Sequence, residues 1–393
     1  MNKKSVQDVD LKGKRVLMRV DFNVPLDKSG KITDDLRIIS AVPTIKYCLE
    51  QKAKKIVLMS HLGRPDGKVV DSLRLDPVAK RLSELLKLPV KKLDDCIGPQ
   101  VEQAVAKSPE MVVLLENLRF HAEEEKNDAS FAKELAKSGD IFVNDAFGTA
   151  HRAHASTEGV THYLPAVAGF LLKKEIEYLG KVVSSPDKPL VTILGGAKVS
   201  DKIKMIENMM DKVSCFLIGG GMAYTFLKAQ GKSIGSSKLE KDRIDMAKDI
   251  LKKAAEKKVK IVLPIDNRIA DKFDAAANVK DVGEEIPDGW MGLDIGPKTV
   301  ALFEKELKQA KTIVWNGPVG VFEMPAFAQG TKALAEFISK LKVTSVIGGG
   351  DTASAVKEFG VADKLSHVST GGGASLELLE GLELPGIAAL LDK

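Results

Sequence analysis

The sequence predicts an α/β protein with two doubly wound lobes, each containing a mainly parallel sheet. Three observations support this prediction: the chain has 393 residues, short apolar runs alternate with amphipathic stretches, and glycine-rich or polar turns follow the apolar runs. A chain of this length is too long for one comfortable hydrophobic core, so we expect two domains.

The strands are predicted from continuous apolar runs, which are typical of parallel strands buried on both faces. In the first half these runs occupy residues 15–20, 55–59, 111–115 and 140–143. In the second half they occupy residues 190–194, 214–218, 260–263, 312–315 and 344–347. Helical stretches such as residues 77–86 and 332–341 supply the crossovers. We expect one Rossmann-like sheet per lobe.

The division between the lobes is predicted near residues 170–185. Residues 171–183 form one amphipathic helical pattern, and residues 184–189 (SSPDKP) have the composition of a linker. We expect a first domain over residues 1–170, a long interdomain helix with a hinge over residues 171–185, and a second domain over residues 186–379.

Composition argues against several classes of protein. The 59 basic and 54 acidic residues leave a formal charge of +5, and aromatic residues make up only 5% of the chain, so nucleic-acid binding is not expected. No apolar run approaches the roughly 18 residues of a membrane span, and the N-terminal segment lacks a signal-peptide core. Cys48, Cys96 and Cys215 are scattered, without metal-like spacing, which favours buried thiols in a reducing compartment. We expect a cytoplasmic protein without a membrane partner.

Glycine-rich segments follow three strands of the second half, at residues 195–202, 218–222 and 347–352, and a fourth, residues 369–374, precedes a helical stretch. Glycines let backbone N–H groups approach an anion, and a following helix N-terminus adds partial positive charge. Lys198 and Lys202 could point at one phosphate tail, whereas Asp351 would repel phosphate unless Mg²⁺ bridges them. This half is therefore predicted to bind a nucleoside triphosphate with magnesium.

Two other functions remain as alternatives. Residues 348–353 match the GxGxxG/A pattern of an NAD-dependent dehydrogenase, but the acidic residue that would hold the ribose is missing. A non-catalytic nucleotide-binding scaffold is the other alternative. Such a scaffold should have lost some of its charged site residues, and this chain keeps Arg37, Lys198, Lys202 and Asp351.

Basic side chains follow the strand ends of the first half instead of glycines. They are Arg37, His61, Arg64, Arg119, His121, His151, Arg152 and His154. Arginine binds carboxylate and phosphate with two parallel hydrogen bonds. The first half is therefore predicted to bind a small substrate with two or three negative charges.

Eight segments resemble phosphoglycerate kinase, in collinear order over nearly the whole chain. They are residues 20–25 (VDFNVP), 60–65 (SHLGRP), 116–120 (ENLRF), 148–154 (GTAHRAH), 194–199 (LGGAKV), 315–323 (WNGPVGVFE), 348–352 (GGGDT) and 369–379 (STGGGASLELL). Only residues 266–269 (DNRI) are more polar than this resemblance leads us to expect, so a strand end is not expected there.

The resemblance implies a 3-phosphoglycerate site in the first domain. Its residues would be Asp21, Asn23, Arg37, His61, Arg64, Arg119 and Arg152, with Arg19 and His151 in a wider basic patch. Arg37 would also reach the phosphoryl group in transfer.

The resemblance implies an ATP/ADP site in the second domain. Lys198 and Lys202 would hold phosphates, Asp351 the Mg²⁺ ion, and Glu323 the ribose. The adenosine pocket would include Gly219, Gly220 and Pro318, and backbone donors would include Gly350, Thr352, Gly371 and Gly372. The same resemblance adds Gly196, Ala197, Gly292, Asn316 and Gly349. The catalytic set would be Arg37, Lys198, Lys202, Gly350 and Gly372.

The resemblance also implies a reaction and an architecture. The reaction is reversible phosphoryl transfer from 1,3-bisphosphoglycerate to ADP, with closure of the two lobes about the hinge. Residues 380–393 would complete the first, substrate-binding domain, while residues 186–379 would be the nucleotide-binding domain. The expected state is a monomer whose partners are small molecules.

Overall fold

The computed structural model describes residues 2–393. The chain divides into two compact units, Met1–Glu177 with Glu383–Lys393, and Tyr178–Leu382. Among the described residues, none of the helices combines the length and the apolar character that a bilayer crossing requires.

The first unit alternates strands and helices from its N-terminus. Its elements are β1 (Arg15–Val20), α1 (Leu36–Glu50), β2 (Lys55–Met59), α2 (Asp76–Leu86), β3 (Val90–Lys92), α3 (Pro99–Lys107), β4 (Val112–Leu114), α4 (Ala122–Glu125), α5 (Ala129–Ala136), β5 (Ile141–Asp145) and β6 (Ala166–Ala168). The strands form one parallel sheet in the order β3-β4-β2-β1-β5-β6. All of β2 and all but the first residue of β1 are buried, as expected for strands covered on both faces.

A helix, α6 (Phe170–Ser184), runs along the chain from the first unit into the second. The second unit continues with β7 (Leu190–Leu194), α7 (Ile203–Met209), β8 (Cys215–Ile218), α8 (Gly220–Ala229), α9 (Ile244–Glu256), β9 (Lys260–Val262), β10 (Asn267–Ala270), β11 (Val279–Val282), β12 (Met291–Ile295), α10 (Pro297–Leu307), β13 (Thr312–Asn316), α11 (Gln329–Ile338), β14 (Thr344–Gly348), α12 (Gly350–Glu358), β15 (His367–Val368) and α13 (Gly373–Leu379).

The second unit has its own six-stranded parallel sheet, in the order β15-β14-β13-β7-β8-β9. Its core includes Phe303, Ile313, Trp315 and Leu334, all fully buried. The prediction of two α/β lobes with parallel sheets is confirmed. The nine predicted strands all form, and the short strands β3, β6 and β15 were missed because runs of two or three residues carry little periodicity.

The second unit also contains a three-stranded antiparallel sheet, in the order β11-β10-β12, which the sequence analysis did not predict. Residues 267–270 form β10, so the expectation that no strand lies there was wrong. Its polar sequence has a physical reason. The carboxylate of Asp266 accepts hydrogen bonds from the N–H groups of Lys298 (2.9 Å) and Thr299 (2.7 Å), the first turn of α10.

The C-terminal residues Glu383–Lys393 belong to the first unit and include the short helix α14 (Pro385–Ala388). The side chain of Asn144, at the end of β5, donates to the carbonyl of Gly386 at 3.0 Å. The N–H of Leu391 donates to the carbonyl of Ala166 at 2.9 Å. These bonds attach the C-terminus to the edge of the first sheet.

We expect Asp266→Ala to destabilise the second unit by about 1–3 kcal/mol, because buried N–H groups at the start of α10 lose their acceptor. Both tryptophans, Trp290 and Trp315, lie in this unit, so tryptophan fluorescence during urea unfolding reports its stability. Asp288→Ala, at an exposed carboxylate, is the control. An Asp266→Ala midpoint equal to that of the control would contradict the capping role.

Candidate active site

The order of the strands indicates where each unit can bind a ligand. In a doubly wound sheet, ligands bind beyond the carboxyl ends of the strands, where the winding direction reverses. This reversal falls between β1 and β5 in the first unit, and between β7 and β13 in the second. We therefore expect functional side chains among the residues that follow these four strands.

Arg19 lies at the carboxyl end of β1 with only 1% of its surface exposed. Its Nε donates to Ser156 Oγ at 2.8 Å, and its Nη2 lies 3.0 Å from His61 Nδ1. Its Nη1 also donates to the carbonyl of Val20. Burial lowers the pKa of this guanidinium, because a charge removed from water is disfavoured.

Glu124 compensates the buried positive charge of Arg19. Its sequence context did not indicate this role. Its carboxylate accepts hydrogen bonds from Ser156 Oγ (2.6 Å) and from the Ser156 N–H (3.0 Å), so Ser156 connects it to Arg19. Burial raises the pKa of Glu124, and the charge of Arg19 opposes that rise. Glu124 belongs to an acidic run, residues 123–125, which by sequence alone looks like a solvated helix face.

Three strand ends of the first unit are joined by direct contacts. Arg37 Nη1 lies 2.7 Å from Asp21 Oδ2 in an ion pair. Asn23 Oδ1 accepts from the N–H of Gly63 at 2.9 Å, and Arg119 Nη1 donates to the carbonyl of Gly63 at 3.0 Å. The segments that follow β1, β2 and β4 therefore meet at one edge of the sheet.

The remaining predicted residues of this unit lie close to Arg119. Arg152 Nε donates to His151 Nε2 at 3.2 Å. Burial lowers the pKa of Arg119, and the charges of Arg152 and the exposed Arg64 add to this effect while Glu125 opposes it. An ion pair of 3.2 Å joins Arg119 Nε to Glu125.

The basic side chains of this edge lie close together, although their positive charges repel one another. Burial lowers the pKa of His61 well below its ordinary value, and the charges of Arg19, Arg119 and Arg37 lower it further. Burial and the neighbouring arginines lower the pKa of His154 to about 4. We call this set the cationic cluster: Arg19, Arg37, His61, Arg64, Arg119, His151, Arg152 and His154. The five arginines of this cluster, of which Arg19 and Arg119 are buried, form a concentration of positive charge that favours an anion with several charges.

In the second unit, glycine lets two strand ends approach each other closely. The N–H of Gly195 donates to the carbonyl of Asn316 at 3.0 Å, and that of Gly196 donates to the carbonyl of Pro318 at 2.9 Å. A Cβ atom at Gly195 would lie 2.1 Å from the Pro318 carbonyl oxygen, so no larger residue fits. The N–H of Gly220 donates to Val319 at 3.0 Å, which brings the end of β8 to the same place.

Lys202 is the cation at this edge. Its Nζ donates to Oδ1 of Asn316, the last residue of β13, whose Nδ2 is buried without a hydrogen-bond partner. Burial lowers the pKa of Lys202, and the carboxylates of Asp201, Glu380 and Asp351 oppose this effect. The predicted residues Lys202, Asn316 and Asp351 are thus brought together.

The turns before α12 and α13 contribute further predicted residues. Gly349 has a φ of +88° and precedes α12, whose first residue is Gly350. The hydroxyl of Thr352 accepts from the N–H of Gly317 at 2.7 Å, which ties α12 to the end of β13. A Cβ atom at Gly350 or Gly372 would meet nothing within 4 Å, so both positions border open space. The N–H of Gly371 donates to Ser369 Oγ at 3.1 Å.

Other predicted residues of this unit have contacts of their own or are exposed. Ala197 and Lys198 are exposed, and the charge of Lys198 acts on Glu240. Gly219 ends the β8 strand with an N–H bond to the carbonyl of Leu194 at 2.8 Å. Gly292 lies in β12, where a Cβ atom would be 2.0 Å from the Tyr224 hydroxyl. Glu323 is exposed after β13.

The chain has two α/β units with parallel sheets, one with a cationic cluster and the other with glycine-lined turns around a lysine, which fits a phosphotransferase of the kinase class. Comparison with known proteins identifies the family. The model of the family described as phosphoglycerate kinase matches residues 6–382. The chain belongs to the phosphoglycerate kinase family, whose reaction is the reversible, glycolytic transfer of a phosphoryl group from 1,3-bisphosphoglycerate to ADP.

Known phosphoglycerate kinases are similar to this chain over nearly the whole length of both. A phosphoglycerate kinase of Gloeothece citriformis is 58% identical and covers 99% of each chain, and one of Moorella thermoacetica is 56% identical over 100% of each. The solved structure of phosphoglycerate kinase from Coxiella burnetii has a TM-score of 0.91 at 46% identity, covering 98% of both chains. The enzyme from Pyrococcus horikoshii has a TM-score of 0.84 at 34% identity, again over 98% of both.

We expect His61 and His154 of the cationic cluster to stay neutral at pH 7. The ring C–H resonances of His154 should titrate near pH 4 and those of His61 well below pH 6.5, whereas those of His121 should titrate above it, because Asp95 raises the pKa of that ring. NMR titration, assigned with single His→Gln variants, measures all three. A His61 ring that is protonated at pH 7 would contradict the description of this edge.

The pKa values of His61 and His154 predict that the free energy of unfolding decreases as the pH is lowered. The folded-state pKa values of His61 and His154 lie below the unfolded value of about 6.5, so the unfolded state binds more protons below that pH. Their contribution to stability is therefore present above about pH 6.5 and is lost as the pH falls toward 4.

Proposed function

We propose that the cationic cluster binds 3-phosphoglycerate in one direction of the family reaction and 1,3-bisphosphoglycerate in the other. The observation that carries this proposal is the set of buried cations at one sheet edge, where Arg19 and Arg119 are almost completely desolvated. The paired charges of Glu124 and Glu125 leave this edge with an excess of positive groups. A substrate that carries both a carboxylate and a phosphate matches that excess.

The second sheet edge is proposed to bind ATP or ADP. Lys202 would contact the phosphate in transfer, since it is anchored beside Asn316 at the end of β13. Lys198 would add a second positive charge, and the N–H groups around Gly350 and Gly372 would donate to phosphate oxygens. The turn formed by Gly219, Gly220 and Pro318 is proposed to border the adenosine. The remaining nucleotide residues would be Gly196, Ala197, Gly292, Glu323, Gly349, Thr352 and Gly371.

Asp351 is the residue that fits a Mg²⁺ ion. Its carboxylate is exposed in the first turn of α12, and its charge acts on Lys202. An exposed carboxylate together with phosphate oxygens and water is the kind of ligand set that Mg²⁺ prefers. The ion would neutralise phosphate charge, and Asp351 would hold it at the same turn that supplies the backbone donors.

The reaction requires that the phosphoryl donor and acceptor be aligned and that the charge of the transferring group be stabilised. It requires no proton transfer to the protein. The acceptor in the ATP-consuming direction is a carboxylate with a pKa of about 4, which is already ionised at neutral pH. Arg37, Lys198 and Lys202 are therefore proposed to stabilise the charge of the transferring group, and the strand ends are proposed to hold donor and acceptor in line.

We also propose that the chain works as a cytoplasmic monomer with small-molecule partners only and no nucleic-acid partner. All three cysteines are free and buried, which fits a reducing compartment. The nearly balanced total of 59 basic and 54 acidic residues argues against a polyanionic partner.

Arg37→Ala and Lys202→Ala should each lower kcat by roughly 10²–10³, the scale of losing one donor to a transition-state oxyanion. The assay supplies 3-phosphoglycerate, ATP and Mg²⁺ and follows NADH consumption through glyceraldehyde-3-phosphate dehydrogenase. Turnover should require Mg²⁺.

Matched variants control for the loss of a surface charge. Arg81 lies in the same unit as Arg37, and its side chain is 38% exposed against 39% for Arg37, but it pairs with Asp35 and Glu84. Arg81→Ala and the exposed Lys228→Ala should keep normal turnover. Normal turnover in Arg37→Ala or Lys202→Ala would refute the role of that residue. A folded chain that binds nucleotide without any turnover would favour the scaffold alternative.

Closure of the two units on their substrates is proposed to exclude water from the acyl phosphate, with residues 170–190 bending. We expect small-angle X-ray scattering to show a smaller radius of gyration with 3-phosphoglycerate and MgATP together than with either alone. The forward scattering should correspond to 42.4 kDa, the mass of one chain. An unchanged radius with both substrates bound would refute closure, and a doubled mass would refute the monomer.

A further inference from the structure

A second group of side chains with metal-binding chemistry lies in the first unit, outside the residues proposed to bind substrate. Asp95 and Cys96 follow β3, and His121 follows the turn that ends β4. One ligand atom from each residue, including the Cys96 sulfur, lies within 4.8 Å of the other two. Asp95 Oδ1 and His121 Nε2 are 2.7 Å apart. In residues 2–393 this is the one set of three histidine, cysteine or acidic residues that is so closely grouped.

The ligand types indicate which ions could bind. Thiolate, imidazole and carboxylate together are typical of Zn²⁺ and of Co²⁺, which replaces it, whereas Mg²⁺ prefers oxygen ligands alone. Metal bonds of about 2.0–2.3 Å in a tetrahedral site separate the ligand atoms by roughly 3.3–3.6 Å. One ligand atom from each residue already lies within 4.8 Å of the other two, and Asp95 Oδ1 and His121 Nε2, now 2.7 Å apart, would separate to reach this spacing.

Backbone contacts hold the three residues in place. Asp95 Oδ1 accepts from the Cys96 N–H at 2.7 Å, and the carbonyl of Asp95 accepts from the Glu116 N–H at 3.3 Å. The N–H of His121 donates to Leu118 at 3.2 Å, and its ring packs against Phe131 with 5.3 Å between ring centres. A site whose ligands are anchored in this way needs little ordering when an ion binds.

The charges around the three residues favour a cation. Burial raises the pKa of the Cys96 thiol and so keeps it protonated when no ion is bound, and the negative carboxylates of Asp95, Glu124 and Glu116 raise it further, as they would attract a bound cation. The hydrogen bond to Asp95 raises the pKa of His121 despite partial burial, and Glu123 adds to the effect. Of the nearby acids, Glu116 is neutralised by Lys92 at 2.5 Å and by Arg74 at 3.0 Å.

We propose that Asp95, Cys96 and His121 bind one divalent ion of the zinc class, with a water molecule in the fourth position. One side of the site is open, because the Asp95 side chain is 53% exposed and that of His121 is 28% exposed, while Cys96 forms the buried wall. The site is separate from the Mg²⁺ that accompanies the nucleotide, since Asp351 belongs to the other unit. Binding of the ion releases the proton of the Cys96 thiol and, when the His121 ring is protonated, one proton of that imidazolium. The affinity for the ion therefore increases with pH.

The test uses the untagged, reduced full-length chain without nucleotide, in excess Mg²⁺ to occupy sites made of oxygen ligands. Co²⁺ is titrated first, because a cobalt–thiolate bond produces a charge-transfer absorption in the near ultraviolet. Calorimetric titration with Zn²⁺ then gives the stoichiometry and the affinity. We expect one ion per chain and weaker binding at pH 6 than at pH 8.

Variants distinguish this site from adventitious binding. Cys96→Ser should abolish the charge-transfer band. Cys96→Ser and His121→Gln should each weaken Zn²⁺ binding at least 10–100-fold, since even the loss of a residue that only hydrogen-bonds to a metal ligand can weaken binding by that factor. Cys215→Ala and His162→Gln, which change a cysteine and a histidine outside the group, should bind like the wild type. If Cys96→Ser does not fold, Asp95→Asn at the exposed ligand provides the same comparison. Absence of the band in the wild type, or equal affinity in the ligand variants and controls, would overturn the proposal.

Discussion

The positive charge of Arg19, held out of water at the carboxyl end of β1, constrains the rest of the first unit. A buried guanidinium is stable only if nearby groups compensate it, and here Ser156 links it to the buried carboxylate of Glu124. Burial lowers the pKa of the neighbouring His61 and the charge of Arg19 lowers it further, so the ring stays neutral and Arg19 can donate to it. If the family substrate binds at this edge as proposed, its negative charges would offer the compensation that the protein itself supplies only in part.

The second unit offers different groups to the anion that it is proposed to bind. Close approach of β7, β8 and β13 leaves room only for glycine at Gly195, and the turns before α12 border open space at Gly350. Backbone donors in such turns suit a flexible polyphosphate, because every phosphate group presents similar oxygens. Arginine forks in the first unit suit a small acid, whose carboxylate and phosphate must be held in one orientation.

Much of the fold could be predicted because its signals are local. Buried parallel strands such as β1 and β2 consist of continuous apolar residues, and their bounds were predicted to the residue. The antiparallel sheet around β10 could not be predicted in this way, since residues 266–269 are largely polar and Asp266, just before β10, caps α10. The assignment of individual site residues, from Arg37 to Gly372, remains a prediction that the proposed experiments test.

The sequence by itself determined the fold class, the family and the types of side chain that follow each strand, because motifs and apolar periodicity are written along the chain. The tertiary structure alone decided which of these side chains are desolvated and which meet. Glu124 looks like part of a solvated acidic run, yet it lies buried beside Ser156. Cys96 has no metal-like spacing in sequence, yet it adjoins His121. In both cases the pairing depends on loops that follow different strands, and only the packing of the sheet brings those loops together.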